Sequence, residues 1–267
     1  MKVGYMTNAW GAVVGHPGGV TSIKDLYYLS TGADEQAIKA ISEAGFEYIE
    51  IFDGNLTAYE ADKQKFTGLL QKYGVELFAV YTGADFIYDE ILEEEFFKME
   101  QAAKIAKAFG AKHLCVGGGA VRSKGVREED YEKLAKGLDR AMDMAANYGL
   151  IASYHPHLGT CVQSPDQLDK LMPLTKISLC PDCGHIAAGG GDPVEVVRKY
   201  QDRIKYLHLK DYKGGGFYPL GMGGIDLKEI INILNGKGVD YTVEADGYAG
   251  SPEEAAKVSF QYLDGLL

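Results

Sequence analysis

Four side chains able to bind a divalent cation recur at nearly regular intervals in the second half of the chain. His155, Asp182, His208 and Glu244 are separated by 27, 26 and 36 residues, each interval close to the length of one strand-plus-helix unit of about 30 residues. Each of the four closes a short apolar or β-branched run. Two imidazoles and two carboxylates in one cup suit Mn²⁺ or Co²⁺, with Zn²⁺, Fe²⁺ and Mg²⁺ as alternatives; Mg²⁺ is less favoured because it prefers an all-oxygen shell. Such a set leaves one or two coordination positions for substrate oxygens. Other polar residues follow closely: His157 after His155, His185 after Asp182, Lys210 after His208 and Asp246 after Glu244. Side chains two apart on a strand share a face, so His157, Lys210 and Asp246 are expected on the side of the candidate ligands.

The elements that must position these residues alternate along the whole sequence. Strands are predicted at 3–7, 47–52, 75–81, 113–117, 150–155, 177–182, 204–209 and 240–244. Between and after them lie helical patterns at 34–44, 58–73, 93–109, 128–148, 165–172, 192–200, 226–236 and 252–265. Gly45, Gly74, Gly110 and Gly149 each stop a helix before a strand. Ser164-Pro165, Asp192-Pro193 and Ser251-Pro252 read as an N-cap followed by a first-turn proline. Eight such units imply an α/β fold, a (β/α)₈ TIM barrel formed as a single domain over residues 1–267. A doubly wound sheet is the competitor, but the first turn, Thr7-Asn8-Ala9-Trp10-Gly11, lacks a G-x-G-x-x-G motif. In a barrel the active site lies at the carboxyl ends of the strands, where all four candidate ligands fall.

Composition narrows the partners. The chain has 267 residues, 38 acidic against 27 basic side chains, a formal charge of −11, and 46% hydrophobic residues. A nucleic-acid backbone or an anionic membrane would call for clustered Lys and Arg, so neither is an expected partner. No apolar run reaches the roughly 20 residues of a spanning helix and no signal-peptide pattern opens the chain, which leads to a cytoplasmic expectation. Cys115, Cys161, Cys180 and Cys183 suit a reducing compartment, and the lone C-x-x-C at 180–183 closes a strand, so neither a redox motif nor a complete zinc site is expected from it. His16 and His113 read as surface or core residues; His113 begins its strand, at the end away from the site. Among the 34 glycines, the runs 117–119, 189–191 and 214–216 follow strands at the site's end and read as flexible loops that close on a substrate. The segment 8–33, with Gly15, Gly18 and Gly19, reads as an extended loop after the first strand.

The residues resemble the sugar isomerase/epimerase superfamily with the xylose-isomerase-like TIM barrel. The resemblance spans essentially the whole chain and rests on Tyr154-His155-Pro156-His157-Leu158-Gly159-Thr160, Asp182-Cys183-Gly184-His185, Gly191-Asp192-Pro193, His208-Leu209-Lys210-Asp211, Pro219-Leu220-Gly221 and Val243-Glu244-Ala245-Asp246. Within the superfamily the set is most similar to the inosose dehydratases, where H-x-H-x-G-T, D-x-G-H and H-x-K-D recur. The resemblance implies metal binding at Asp182, His208 and Glu244 and substrate contact at His185 and Lys210. Sugar epimerases of the superfamily place a glutamate where this chain has His155, paired with the last-strand glutamate as an acid/base couple. The histidine weakens that symmetric mechanism and gives weight to elimination.

The implied chemistry is removal of a proton next to a carbonyl, with the metal stabilising the enediolate, on a small keto-sugar or keto-polyol. Lyase action of the inosose-dehydratase kind is the first expectation; a sugar isomerase or ketose epimerase, or a keto-glycoside-cleaving enzyme, is the alternative. His157 and Lys210 are the expected acid and base, with Glu244 assisting beside the metal. Trp10, Tyr5, Phe52 and Tyr81 are expected at the mouth, stacked on the apolar face of a polyol ring. An AP-type endonuclease would need more His and Glu ligands and a basic groove, and a non-catalytic binding protein would not need four aligned ligands. Barrels of this kind often associate, which leaves a homo-oligomer open, and the sequence itself gives no oligomeric state.

Overall fold

Alternate residues of each strand meet different surroundings, and this sorts the molecule into layers. In the second strand Ile49 and Ile51 join Ile38, Ile41 and Phe66 in one apolar cluster beneath the helices. Phe52, of opposite parity, joins Met6, Phe78, Tyr81, Cys115, Cys180 and Tyr206 in a separate interior cluster. Two cores divided by a sheet are the expected signature of a closed barrel wrapped by helices.

The computed structural model describes residues 1–11, 13–14, 27–245 and 248–266. The barrel strands are β1 (Val3–Met6), β2 (Tyr48–Phe52), β3 (Glu76–Ala84), β4 (His113–Gly118), β5 (Ile151–Tyr154), β6 (Ser178–Leu179), β7 (Tyr206–Leu209) and β8 (Asp240–Val243). They pair in parallel in the order β6-β5-β4-β3-β2-β1-β8-β7. Single parallel bridges, Leu179 to Ile204 and Asp182 to His208, join β6 to β7 and close the ring. The covering helices are α1 (Asp34–Ala44), α2 (Lys63–Tyr73), α3 (Leu92–Ala108), α4 (Glu128–Asn147), α5 (Pro165–Leu171), α6 (Pro193–Tyr200), α7 (Leu227–Leu234) and α8 (Pro252–Asp264). No helix among the described residues is long and apolar enough to cross a membrane.

Local chemistry sets the boundaries. The carboxylates of Asp62, Asp192 and Asp226 and the Ser251 hydroxyl accept first-turn N–H groups of α2, α6, α7 and α8, each cap worth about 1 kcal/mol. Gly45 ends α1 in the left-handed region, φ 112°, a conformation a side chain resists. Helix α2 starts at Lys63 rather than 58 because Asp62 supplies the cap, and Asp53–Thr57 forms a separate short helix. Strand β6 is shorter than the sequence reading of 177–182, since Pro181 has no N–H to give a ladder and Asp182 instead caps the short helix Cys183–Ala188.

Two of the glycine runs at the carboxyl end have definite places in the backbone. Gly118 has φ 110°, and a Cβ there would lie 1.9 Å from the Ala84 carbonyl oxygen, so it serves close backbone approach rather than flexibility. The run 214–216 is the turn of a hairpin pairing Asp211–Lys213 with Gly216–Tyr218. Buried Asp211 organises the segment beyond it by accepting the N–H groups of Tyr212, Gly221, Gly223, Gly224 and Ile225. Part of the segment 8–33 is structured as well: Thr7–Trp10 is a 3₁₀ turn, and Val13–Val14 pairs with Leu29–Ser30. His16, Gly15, Gly18, Gly19 and Asp246 lie outside the described residues.

Asp53, at the end of β2, pins this crossing segment to the barrel. Its carboxylate accepts from the N–H groups of Tyr28 and Gly54 and from the Thr82 hydroxyl, each at 2.7 Å. Burial pushes its pKa up to about 7 despite those three bonds. The unfolded carboxyl titrates near 3.9, so between about pH 4 and pH 7 the folded state holds the extra proton, and stability is lost as pH rises through that window. Asp53→Asn removes this dependence: the difference in melting temperature, variant minus parent, should increase from pH 4 to pH 7.5 and then level, as read by calorimetry across that range.

Candidate active site

Strand ends deliver the site residues to one place. His155 follows β5, Asp182 follows the Pro181 break after β6, His208 lies within β7, and Glu244 follows β8. All four are buried, and one ligand atom from each lies within 4.8 Å of the others. The Asp182 carboxylate is divided in function. Its Oδ1 accepts the His185 N–H at 2.8 Å as the cap of helix 183–188, whereas Oδ2 makes no hydrogen bond and sits 3.0 Å from the Lys210 ammonium. Glu244 Oε2 lies 2.8 Å from His208 Nδ1 and 3.0 Å from the same ammonium. Its other oxygen accepts from Asn8 Nδ2 at 2.9 Å.

Lys210 stands inside the cup rather than at its rim. Its side chain is fully buried and bridges Asp182 and Glu244 while donating to His185 Nε2 at 2.9 Å. That bond uses the His185 lone pair, and His185 Nδ1 has no hydrogen-bond partner. The His157 ring lies 3.7 Å from that of His185, centroid to centroid, and its Nδ1 is 2.7 Å from the Leu158 carbonyl oxygen. A carbonyl only accepts, so Nδ1 carries a proton, and in the neutral ring Nε2 holds the lone pair.

The electrostatics follow from burial and from this one cation. Burial and then neighbouring His208 hold His155 well below its ordinary pKa, and burial followed by Lys210 does the same to His185. Burial lifts Asp182 to about 6, with Lys210 opposing the shift. Burial would raise Glu244 too, but the Lys210 charge and the His208 bond outweigh it and hold the group well below the usual carboxylate range. Burial opposes charge on His208, yet Glu50, Cys115 and Glu244 together raise its pKa well above the usual value.

The four-residue set fits a divalent cation. It offers two carboxylates and two imidazoles at short mutual distances, and one of its buried atoms, His155 Nδ1, makes no hydrogen bond with the described residues, while Asp182 Oδ2 is met by ion-pair contacts alone. Buried polar atoms left this way are rare and ask for a partner.

The aromatic residues divide. Tyr81 packs edge-on against His155 at 5.3 Å, and Phe52 and Tyr28 stand behind it. Tyr5 and Trp10, expected at the mouth, lie in the helix layer instead. Tyr5 packs on Trp10 and Phe46, and the Trp10 N–H donates to Glu253 of α8 at 3.1 Å. Parity explains the correction. Gly4 faces the interior, where any Cβ would meet the Phe78 ring at 2.3 Å, so Tyr5 faces outward.

Two site residues escape the sequence reading. Asn8 comes from the irregular turn after β1, with no pattern to mark it. Glu50 is the inward-facing acid in Tyr48-Ile49-Glu50-Ile51-Phe52, which the alternation does expose. It is fully buried 3.1 Å from His208 Nε2 and accepts from the Tyr206 hydroxyl. His113, by contrast, bonds Asp240 at 2.9 Å and stacks on Tyr206, a structural pairing at the amino ends of the strands. The four cysteines are buried free thiols.

Comparison with known proteins agrees with this architecture. The family described as "Xylose isomerase-like TIM barrel" matches residues 38–266. The chain belongs to that family. An inosose dehydratase from Lacticaseibacillus casei is 29% identical over 271 residues, an alignment covering 87% of this chain and 89% of that protein. Among solved structures, a probable 3-DHS dehydratase from Bacillus anthracis superposes with a TM-score of 0.77 at 16% identity, covering 99% of each chain. The IOLI protein, solved with a bound zinc atom, gives a TM-score of 0.74 at 18% identity, covering 100% of this chain and 98% of that one. As a member of this family the chain is an enzyme of the lyase or the isomerase/epimerase kind.

Asp182→Asn keeps the acceptor that caps helix 183–188 and replaces the oxygen facing the cup with a donor. Bound Mn²⁺ or Co²⁺, measured by elemental analysis after equilibration with excess ion and desalting, should fall roughly tenfold or more. Far-ultraviolet circular dichroism should match that of the parent.

Proposed function

We propose that the protein is a divalent-metal-dependent lyase that dehydrates a small keto-polyol of the inosose class. The observation that carries the reading is the packing of an acid and a base, Lys210 and His157 joined through His185, against the His155–Asp182–His208–Glu244 set. A dehydratase name on a relative covering most of the chain supports it, as does the histidine at 155 in place of the second carboxylate of a symmetric acid/base pair. A cation held by His155, Asp182, His208 and Glu244 would polarise a carbonyl and the adjacent hydroxyl and lower the cost of negative charge developing there.

The chain's own residues then divide the proton transfers. His157 Nε2, the lone-pair nitrogen when the ring is neutral and Nδ1–H donates to Leu158, takes the proton from the carbon beside the carbonyl. The electron pair so released forms the new carbon–carbon double bond, and the β-hydroxyl departs with its own bonding pair. Lys210, kept an ammonium by two carboxylates, gives that hydroxyl a proton, and water is lost. His185 Nδ1 donates to a substrate oxygen, and Tyr81 covers the apolar face of the ring. In an isomerase or epimerase the abstracted proton would return to carbon instead of being followed by loss of hydroxyl.

The deciding experiment incubates Mn²⁺-loaded protein with 2-keto-inositol, and with a panel of ketohexoses, in D₂O. Ultraviolet absorbance of an enone or diketone product is the expected result. Deuterium entering recovered sugar without that absorbance would establish isomerisation or epimerisation, and neither signal across the panel would overturn the reading. His157→Ala should lower kcat by about 10²–10⁴-fold while bound Mn²⁺ stays at the parent level, as measured by steady-state kinetics and elemental analysis.

A further inference from the structure

We propose that Glu50 is the positioning residue for His208, fixing through Nε2 which ring nitrogen faces the cup. The inference rests on the metal reading above. Glu50 lies in β2, at the middle of the barrel, with no exposed surface. An ionisable group in such a place is unfavourable unless its partners are specific, and the groups facing it are the Tyr206 hydroxyl, by a hydrogen bond, and the His208 ring, by an ion-pair contact. The Tyr206 hydroxyl donates to Oε2, and His208 Nε2 lies 3.1 Å from the same oxygen. Tyr206 and His208 stand two apart on β7, so they share the inward face and reach one carboxylate from across the barrel.

The consequence is a tautomer. A neutral imidazole has one N–H and one lone pair, and an acceptor at one nitrogen directs the lone pair to the other. With Glu50 facing Nε2, the proton a cation would displace is the one on Nδ1, which here donates to Glu244 Oε2 at 2.8 Å and lies 4.0 Å from Asp182 Oδ2; the neutral ring that remains presents the Nδ1 lone pair to the cup. The other neighbour of Nε2 is the Cys115 thiol at 3.6 Å, a weak acceptor that would not fix the tautomer. Carboxylates behind ligating histidines do this work in metal sites generally. The Tyr206 bond in turn holds the carboxylate towards His208.

The test compares Glu50→Gln and Tyr206→Phe with the parent, each prepared metal-free and then titrated with Mn²⁺ in competition with a fluorescent chelator. Glu50→Gln should raise the dissociation constant by about 10–100-fold, and Tyr206→Phe should raise it less. Ring ¹⁵N shifts of His208 in the Zn²⁺-loaded parent should show a protonated Nε2 and a coordinated Nδ1, and Glu50→Gln should redistribute that proton. A dissociation constant unchanged in both variants, or a parent coordinating through Nε2, overturns the assignment. Should Glu50→Gln fail to fold, Tyr206→Phe alone decides: unchanged affinity and unchanged His208 shifts overturn it. A parent that takes up no divalent ion overturns the functional reading itself, an outcome distinguishable from normal binding in parent and variants alike.

Discussion

Carboxylates that converge inside a barrel repel one another, and the interior of this protein is arranged around meeting that repulsion. Asp182, Glu244 and Glu50 all lie within reach of the His208 ring, in surroundings where water does little to screen them. Lys210 supplies a buried positive charge at 3.0 Å from two of them. His208 lies between Glu50 and Glu244. Like charges this close would drive protonation in a site without cations; here they keep Glu244 ionised and ready to act on a ligand. The same arrangement makes a doubly charged ion a natural further component of the cup.

Holding such a cluster requires walls that do not give. A closed barrel provides them because its strands pair on both sides and several inward residues pack ring against ring. Beneath the cup, Tyr206 meets Phe78 and His208 edge-on and stacks on His113. Above it, the loop after β7 is tied by five N–H groups to one carboxylate, Asp211. The site is thus supported by rigid strands below and by an organised loop above, the condition under which proton-transfer distances stay short.

Much of this was legible in the chain, and the reasons for the misses are physical. Alternating apolar runs located eight strands within a few residues, because barrel strands are short and sharply bounded by helix caps. The four ligand candidates stood out because a βα repeat converts even spacing in sequence into one level in space. Glu50 escapes because the last residue of a strand marks the site's level, and this acid sits one layer deeper. Residue type alone places Tyr5 and Trp10 at the mouth, whereas the parity set by Gly4 turns Tyr5 outward and the turn after β1 brings the Trp10 N–H to Glu253. Asn8 and the five-fold role of Asp211 arise from loop geometry, which no periodicity encodes. The glycine runs are legible only in part for a related reason: composition marks permitted conformations, and the neighbouring carbonyl at Gly118 shows one place where the permission is used for tight packing.

The buried acids also change what the composition means. Glu50, Asp53, Glu95, Asp130, Asp182, Asp211, Asp240 and Glu244 are all enclosed, whereas Lys210 is the one enclosed Lys or Arg among the described residues. The formal charge of −11 is therefore partly internal, committed to backbone N–H groups, helix ends and the cup. Retention on an anion exchanger and solubility near the isoelectric point depend on the charges that solvent meets. In those respects the molecule is a milder polyanion than its sequence suggests.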